Sequence, residues 1–138
     1  MKVYLAHPFL DMTYGRELQA KIEALGITVL NPFQRNEQVV YEAIIANKEV
    51  FGATHSRNIV EGDLRLIEQV DAVVAICNDK ASIGTHMEVF YASRILRRKV
   101  FVLYQKSFPV KVHPWYEYLA MNYSTEAELL TALESWVK

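Results

Sequence analysis

Two carboxylates stand where this chain could put them to chemical use: Glu88 in Gly84-Thr85-His86-Met87-Glu88, and Asp63 in Glu61-Gly62-Asp63-Leu64. A carboxylate can attack carbon as a nucleophile, or hold and hand over a proton. Glu88 follows the run Ala72-Val73-Val74-Ala75-Ile76-Cys77, a polar loop, and a Gly-Thr step into helical periodicity. A buried parallel strand hands over to its crossover helix in this way. The spacing predicts Glu88 in the first turn of that helix, where unpaired N–H groups and the dipole favour negative charge. A plainer reading uses the same residues: Thr85-x-x-Glu88 fits the capping box, in which the Glu caps its own helix. On this pattern alone the cap is favoured.

The elements that would position these groups alternate. Val3-Tyr4-Leu5-Ala6 is a short strand stopped by His7-Pro8-Phe9, since Pro cannot donate to a sheet ladder. Leu18, Ile22 and Leu25 have helical spacing and Gly26 a helix stop, and Ile27-Thr28-Val29-Leu30 then runs into Asn31-Pro32. Such a β-α-β unit makes the two strands parallel. Phe33 to Ser56 is hard to read, with one helix expected over Glu37–Ala46, and long segments of this kind often cover a site. A helix with an apolar stripe (Ile59, Leu64, Ile67) spans Arg57–Val70 and carries Asp63 near its edge. Beyond the Glu88 helix come a strand at Val100–Tyr104, a last short strand over Leu119–Tyr123, and a final helix capped by Thr125-x-x-Glu128 and ending at Trp136. The expected fold is α/β, a three-layer sandwich around a mostly parallel four- or five-stranded sheet, flavodoxin- or Rossmann-like, in a single domain over residues 1–138.

Composition narrows the function. With 138 residues, 51% hydrophobic, 22% charged and a net charge of -1, the chain reads as a soluble globular protein, with no sign of nucleic-acid binding. The basic cluster Arg94, Arg97, Arg98 and Lys99 closes a helix, where cations suit the dipole. One cysteine, Cys77, excludes an internal disulfide and reads as a core thiol. No run is long enough to cross a membrane and no leader pattern opens the sequence, so a cytoplasmic protein is expected.

Three strand ends converge in a parallel sheet: His7-Pro8-Phe9, Asn31-Pro32-Phe33 and the loop before Glu88. Their side chains would line one crevice. Neither a Gly-x-Gly-x-x-Gly fingerprint nor a P-loop is present, and His7, His55, His86 and His113 lack metal-ligand spacing. Neither metal nor cofactor is expected. Ser82 is not in a nucleophile elbow. Carboxylate chemistry remains, with Glu88 as nucleophile and Asp63 as a second polar group.

The ordered set Val3-Tyr4-Leu5-Ala6-His7-Pro8-Phe9, Leu30-Asn31-Pro32, Asp63-Leu64 ahead of Val70-Asp71-Ala72, and Gly84-Thr85-x-x-Glu88-x-x-Tyr91-Ala92 resembles the nucleoside 2-deoxyribosyltransferases, over roughly the first hundred residues. The resemblance makes Glu88 the nucleophile and reverses the preference for a cap. It implies attack on the anomeric carbon through an oxocarbenium-like transition state, and a covalent glycosyl-enzyme resolved by a second free nucleobase or by water. Asp63 would orient the leaving base or assist its protonation, against its plain reading as a solvated helix carboxylate. Tyr4 would lie close to Glu88, with His7, Pro8, Phe9, Asn31 and Gly84 around the nucleoside or nucleotide. One departure bears on the substrate. Where the transferases carry an Asp on the loop before the nucleophile, this chain has Ser82, similar to the related nucleoside 5′-monophosphate N-glycosidases, in which the Ser contacts phosphate. The first loop, however, lacks the glycines that would cradle a phosphate. The resemblance also implies a homo-oligomer, with Asn122 lent by the neighbouring subunit to the sugar's 5′ end; the cluster Trp115, Tyr116, Tyr118 and Met121 has the composition of an interface.

Overall fold

The computed structural model of the chain describes residues 1–34, 42, 45–46, 52–80, 82–106 and 111–138. Five strands form one sheet: β1 (Lys2–Ala6), β2 (Thr28–Leu30), β3 (Ala72–Asn78), β4 (Lys99–Gln105) and β5 (Met121–Tyr123). Their order is β2-β1-β3-β4-β5, and every neighbouring pair is parallel. The expected sheet is thus five-stranded and wholly parallel, as the apolar runs on β3 and β4 demand of strands covered on both faces.

Alternation along the strands divides the core. Val3, Leu5, Val74, Ile76 and Leu103 face α1 (Met12–Glu23) and α5 (Glu126–Val137), meeting Leu18, Ile22, Leu129 and Leu133. Tyr4, Ala6, Val73, Ala75, Cys77 and Val102 face the other way, toward α2 (Ala53–Glu68), α3 (Ile83–Phe90) and α4 (Pro114–Leu119). Three layers result, each core face closed by helix stripes. Cys77 is buried, and burial pushes its thiol pKa up, which suits a core thiol.

Several expected boundaries move. The helix expected from Arg57 begins at Ala53, and that expected over Glu37–Ala46 lies outside the described residues except for Glu42, Ile45 and Ala46, which are helical. Before β5, Pro114–Leu119 is a short helix absent from the sequence reading; Pro114 opens it, and the ring of His113 accepts a hydrogen bond from the Trp115 amide at 3.3 Å. Thr125 caps α5 as expected, its Oγ1 accepting from the Glu128 amide at 3.2 Å. Of the basic cluster only Arg94 lies in the last turn of the Glu88 helix, which runs on through a π-helical segment, Tyr91–Ile95; Arg97 follows its end at φ 57° and Lys99 already belongs to β4. None of the described helices is long and apolar enough to cross a membrane.

Candidate active site

The sheet order places a topological switch between β1 and β3, where chain connections depart in opposite directions and a crevice opens beyond the strand ends. A concavity of about 180 Å³ lies there. Its walls are Tyr4 to Phe9 from the end of β1, Pro32 and Phe33 after β2, Asp63 of α2, and Ser82, Ile83, Gly84, Thr85 and Glu88 at the start of α3. Eight of the ten residues singled out in the sequence meet in it: Tyr4, His7, Pro8, Phe9, Asp63, Ser82, Gly84 and Glu88.

The position of Glu88 corrects one expectation. The N-cap of α3 is Ser82, not Thr85, and the first turn holds no acidic residue. Glu88 therefore lies in the second turn, where it cannot close a capping box. Thr85 and Val89, four residues apart, are the buried stripe of this helix, so Thr85 is inside the helix rather than at its cap. Glu88 accepts instead a short hydrogen bond at Oε2 from the hydroxyl of the wholly buried Tyr4. Tyr4 points from β1 to the same face of the sheet as α3. Strand and helix thus meet at one carboxylate.

His7 is 4% exposed. Its Nδ1 donates to the Pro8 carbonyl at 2.7 Å, which leaves Nε2 unprotonated in the neutral ring. Burial pushes its pKa below the usual histidine value, consistent with that state. The ring is wedged between Phe33, with centroids 4.8 Å apart, and Gly15 on α1. Asn31 is also buried, but its side chain serves the backbone: Oδ1 accepts from the Phe33 amide at 3.0 Å, and Nδ2 donates to Gln19 at 3.2 Å. Pro32 and Phe33, not Asn31, form that wall. Asn122 sits on β5, beyond β3 and β4 from β1, with Nδ2 donating to the carbonyls of Tyr116 and Ala120 at 2.9 and 3.0 Å. This chain does not bring it to its own crevice.

Sequence reading missed a fastening behind the crevice. Asp11, buried just after the first loop, accepts from Asn78 Nδ2 at 2.7 Å and pairs with Lys80 Nζ at 2.6 Å. The loop after β1 is thereby tied to the loop after β3. An Asp at the head of a helix reads as its cap, and only the tertiary structure shows that Asp11 makes no such bond.

Comparison with known proteins fits this arrangement. The family profile described as nucleoside 2-deoxyribosyltransferase matches residues 3–128. The chain belongs to that family. Membership makes it an enzyme of glycosyl transfer or N-glycoside cleavage. No curated protein matches the sequence significantly. Among solved structures, a 2-deoxyribosyltransferase from Bacillus psychrosaccharolyticus is similar in fold, with TM-score 0.70 and 18% identity over 96% of each chain. A conserved protein from Enterococcus faecalis V583 gives TM-score 0.72 at 18% identity, covering 99% of this chain and 98% of that one. The CMP N-glycosidase BcmB of Clostridium botulinum gives 0.59 at 19% identity over 99% of each.

The wedge on His7 has a testable consequence. A Cβ at Gly15 would lie 2.7 Å from His7 Nε2 and 2.8 Å from Cδ2. Gly15→Ala in a helix would otherwise add up to about 1 kcal/mol of stability. Here it should destabilise by about 1–3 kcal/mol through overpacking, and the double variant His7→Gly, Gly15→Ala should recover part of the loss. Urea unfolding of the three proteins checks this; a stabilised Gly15→Ala would show that the His7 ring yields freely.

Proposed function

We propose that the crevice cleaves the N-glycosidic bond of 2′-deoxynucleosides and passes the deoxyribose to another base by way of a glycosyl ester on Glu88. One observation carries this reading: the family's Glu is not spent on capping but is held in the crevice by Tyr4, with Asp63 in the same wall. A Glu88 oxygen attacks C1′ as the C1′–N bond breaks, and its electron pair leaves with the base, which takes up a proton. Asp63 orients the departing base and supplies or relays that proton. An incoming base then attacks C1′ and passes its proton to Asp63 as the C1′–O bond breaks, its electron pair returning to the Glu88 carboxylate. Tyr4 is a positioning residue: its hydroxyl donates to Oε2 and orients the carboxylate. His7, Pro8, Phe9 and Gly84 shape the walls.

A second reading replaces the incoming base by water and the nucleoside by its 5′-monophosphate. The presence of Ser82 in the crevice wall favours it. The first loop speaks against it, because His7-Pro8-Phe9 offers no glycine and Pro8 no amide N–H to a phosphate. We place transfer first.

A second copy of the chain would complete the site. Ile83, Met87, Trp115 and Tyr118 are 77%, 64%, 64% and 78% exposed, and an apolar groove of about 510 Å³ lies between α3 and α4, beside the crevice. Apolar surface of this kind marks an association face. Asn122, next to that face in sequence, would reach the neighbour's sugar.

Three measurements bear on this function. Incubated with a deoxynucleoside and a second free base, the protein should exchange the bases, whereas release of free sugar phosphate from a deoxynucleotide would favour the hydrolase; Glu88→Gln should abolish either activity while substrate still binds, because the amide keeps shape but not nucleophilicity. An active Glu88→Gln protein would mean that the nucleophile lies elsewhere. If Ser82 meets a phosphate, Ser82→Asp should weaken nucleotide binding about tenfold or more and spare nucleosides; equal effects on both would remove Ser82 from that role. By sedimentation the wild type should be oligomeric and Trp115→Asp should dissociate it with loss of turnover, and a monomeric, active wild type would exclude the shared site.

A further inference from the structure

Among the described residues, three buried side-chain atoms have no hydrogen-bond partner: His7 Nε2, Thr85 Oγ1 and Asn122 Oδ1. Thr85 is distinctive because it lies within α3, one turn after Ser82 and one turn before Glu88, and lines the crevice with both. It is 2% exposed. Its Oγ1 has no hydrogen-bond partner. Valine has the same shape and would fill the site without stranding a hydroxyl, so the fold gains nothing from the oxygen.

We propose that Thr85 is a specificity-determining residue whose hydroxyl pairs with the 3′-hydroxyl of the substrate's sugar. The inference rests on the reading above, in which Glu88 attacks C1′, and on Ser82, the position tied to the sugar's 5′ group, lying two helical turns before it. Residues three apart share a helix face, so Thr85 sits between the two ends of the furanose. Two routes join C1′ to C5′ around that ring, one through O4′ and one through C3′. O4′ gains positive charge in an oxocarbenium-like transition state, and a hydrogen bond donated to it would oppose the reaction. A 3′-hydroxyl both donates and accepts, as a threonine hydroxyl does.

Thr85→Val should be tested with the 2′-deoxy substrate that the wild type turns over and with its 2′,3′-dideoxy counterpart. Loss of the pairing should lower kcat/KM about tenfold or more on the first and leave the second, already poor with the wild type, unchanged. Thr85→Ser should keep most of the preference. The unfolding temperature of Thr85→Val should equal or exceed the wild type's; if that variant is unstable, Thr85→Ser decides, and a Ser variant without the preference overturns the pairing. Equal losses on the two substrates, or no loss on either, also overturn it. A wild type that cleaves neither nucleosides nor nucleotides overturns the reading of the crevice and this contact with it, whereas an active wild type matched by its Val variant overturns the contact alone.

Discussion

The parallel register of β1 against β3, Val3 opposite Ala72 through Ala6 opposite Ala75, is the constraint on which the site depends. It places Tyr4 on the face shared with Val73, Ala75 and Cys77, under the helix that carries Glu88. Side chains alternate with a period of two, so a slip of one residue would send Tyr4 to the α1 face and put Val3 or Leu5 beneath Glu88. No apolar side chain could hold the carboxylate. The register is secured in turn by the two cores, since the same slip would exchange every residue packed against α1 and α5 with those packed against α2 and α3.

Beyond the strand ends, ladder hydrogen bonding stops and side chains must hold the loops. Asp11 links the β1 and β3 loops through Asn78 and Lys80, and Asn31 links the β2 end to α1 through Gln19. These polar groups stand behind the crevice and are mutually satisfied. Buried networks of this kind are costly unless complete, and complete ones rigidify. The fastening holds the loop after β3 at Asn78 and Lys80, shortly before the helix that carries Thr85 and Glu88.

The strands were legible because burial on both faces leaves unbroken apolar runs, as in Ala72–Cys77 and Val100–Tyr104, which few other structures require. The converging loops followed from parallel pairing alone. The start of α3 was not legible, since Ser82 and Thr85 are both good N-cap residues three positions apart, and only packing chooses between them. With Thr85 and Val89 buried, the helix must already be formed at Thr85. Pro114–Leu119 escaped because six residues rich in aromatics show no helical period, although Pro114 at a first helical position was a signal available in the sequence. Asp11 and Gly15 owe their importance to residues far away in the chain or on another element, Lys80 and His7, and no local pattern encodes such pairings.

The shift of the helix start also changes how the Glu88 carboxyl group is held. Dipole stabilisation fades within the first turn of a helix, and that turn belongs to Ile83, Gly84 and Thr85 rather than to Glu88. A directional hydrogen bond from Tyr4, on the neighbouring strand, reaches it there. A nucleophile set at the dipole's positive end would be stabilised as a free carboxylate in every state of the reaction except the ester, which raises the barrier to forming it. A donor on the neighbouring strand orients the carboxylate without drawing on the helix dipole. The first turn of the helix lies instead beside Ser82, a full turn and more before Glu88.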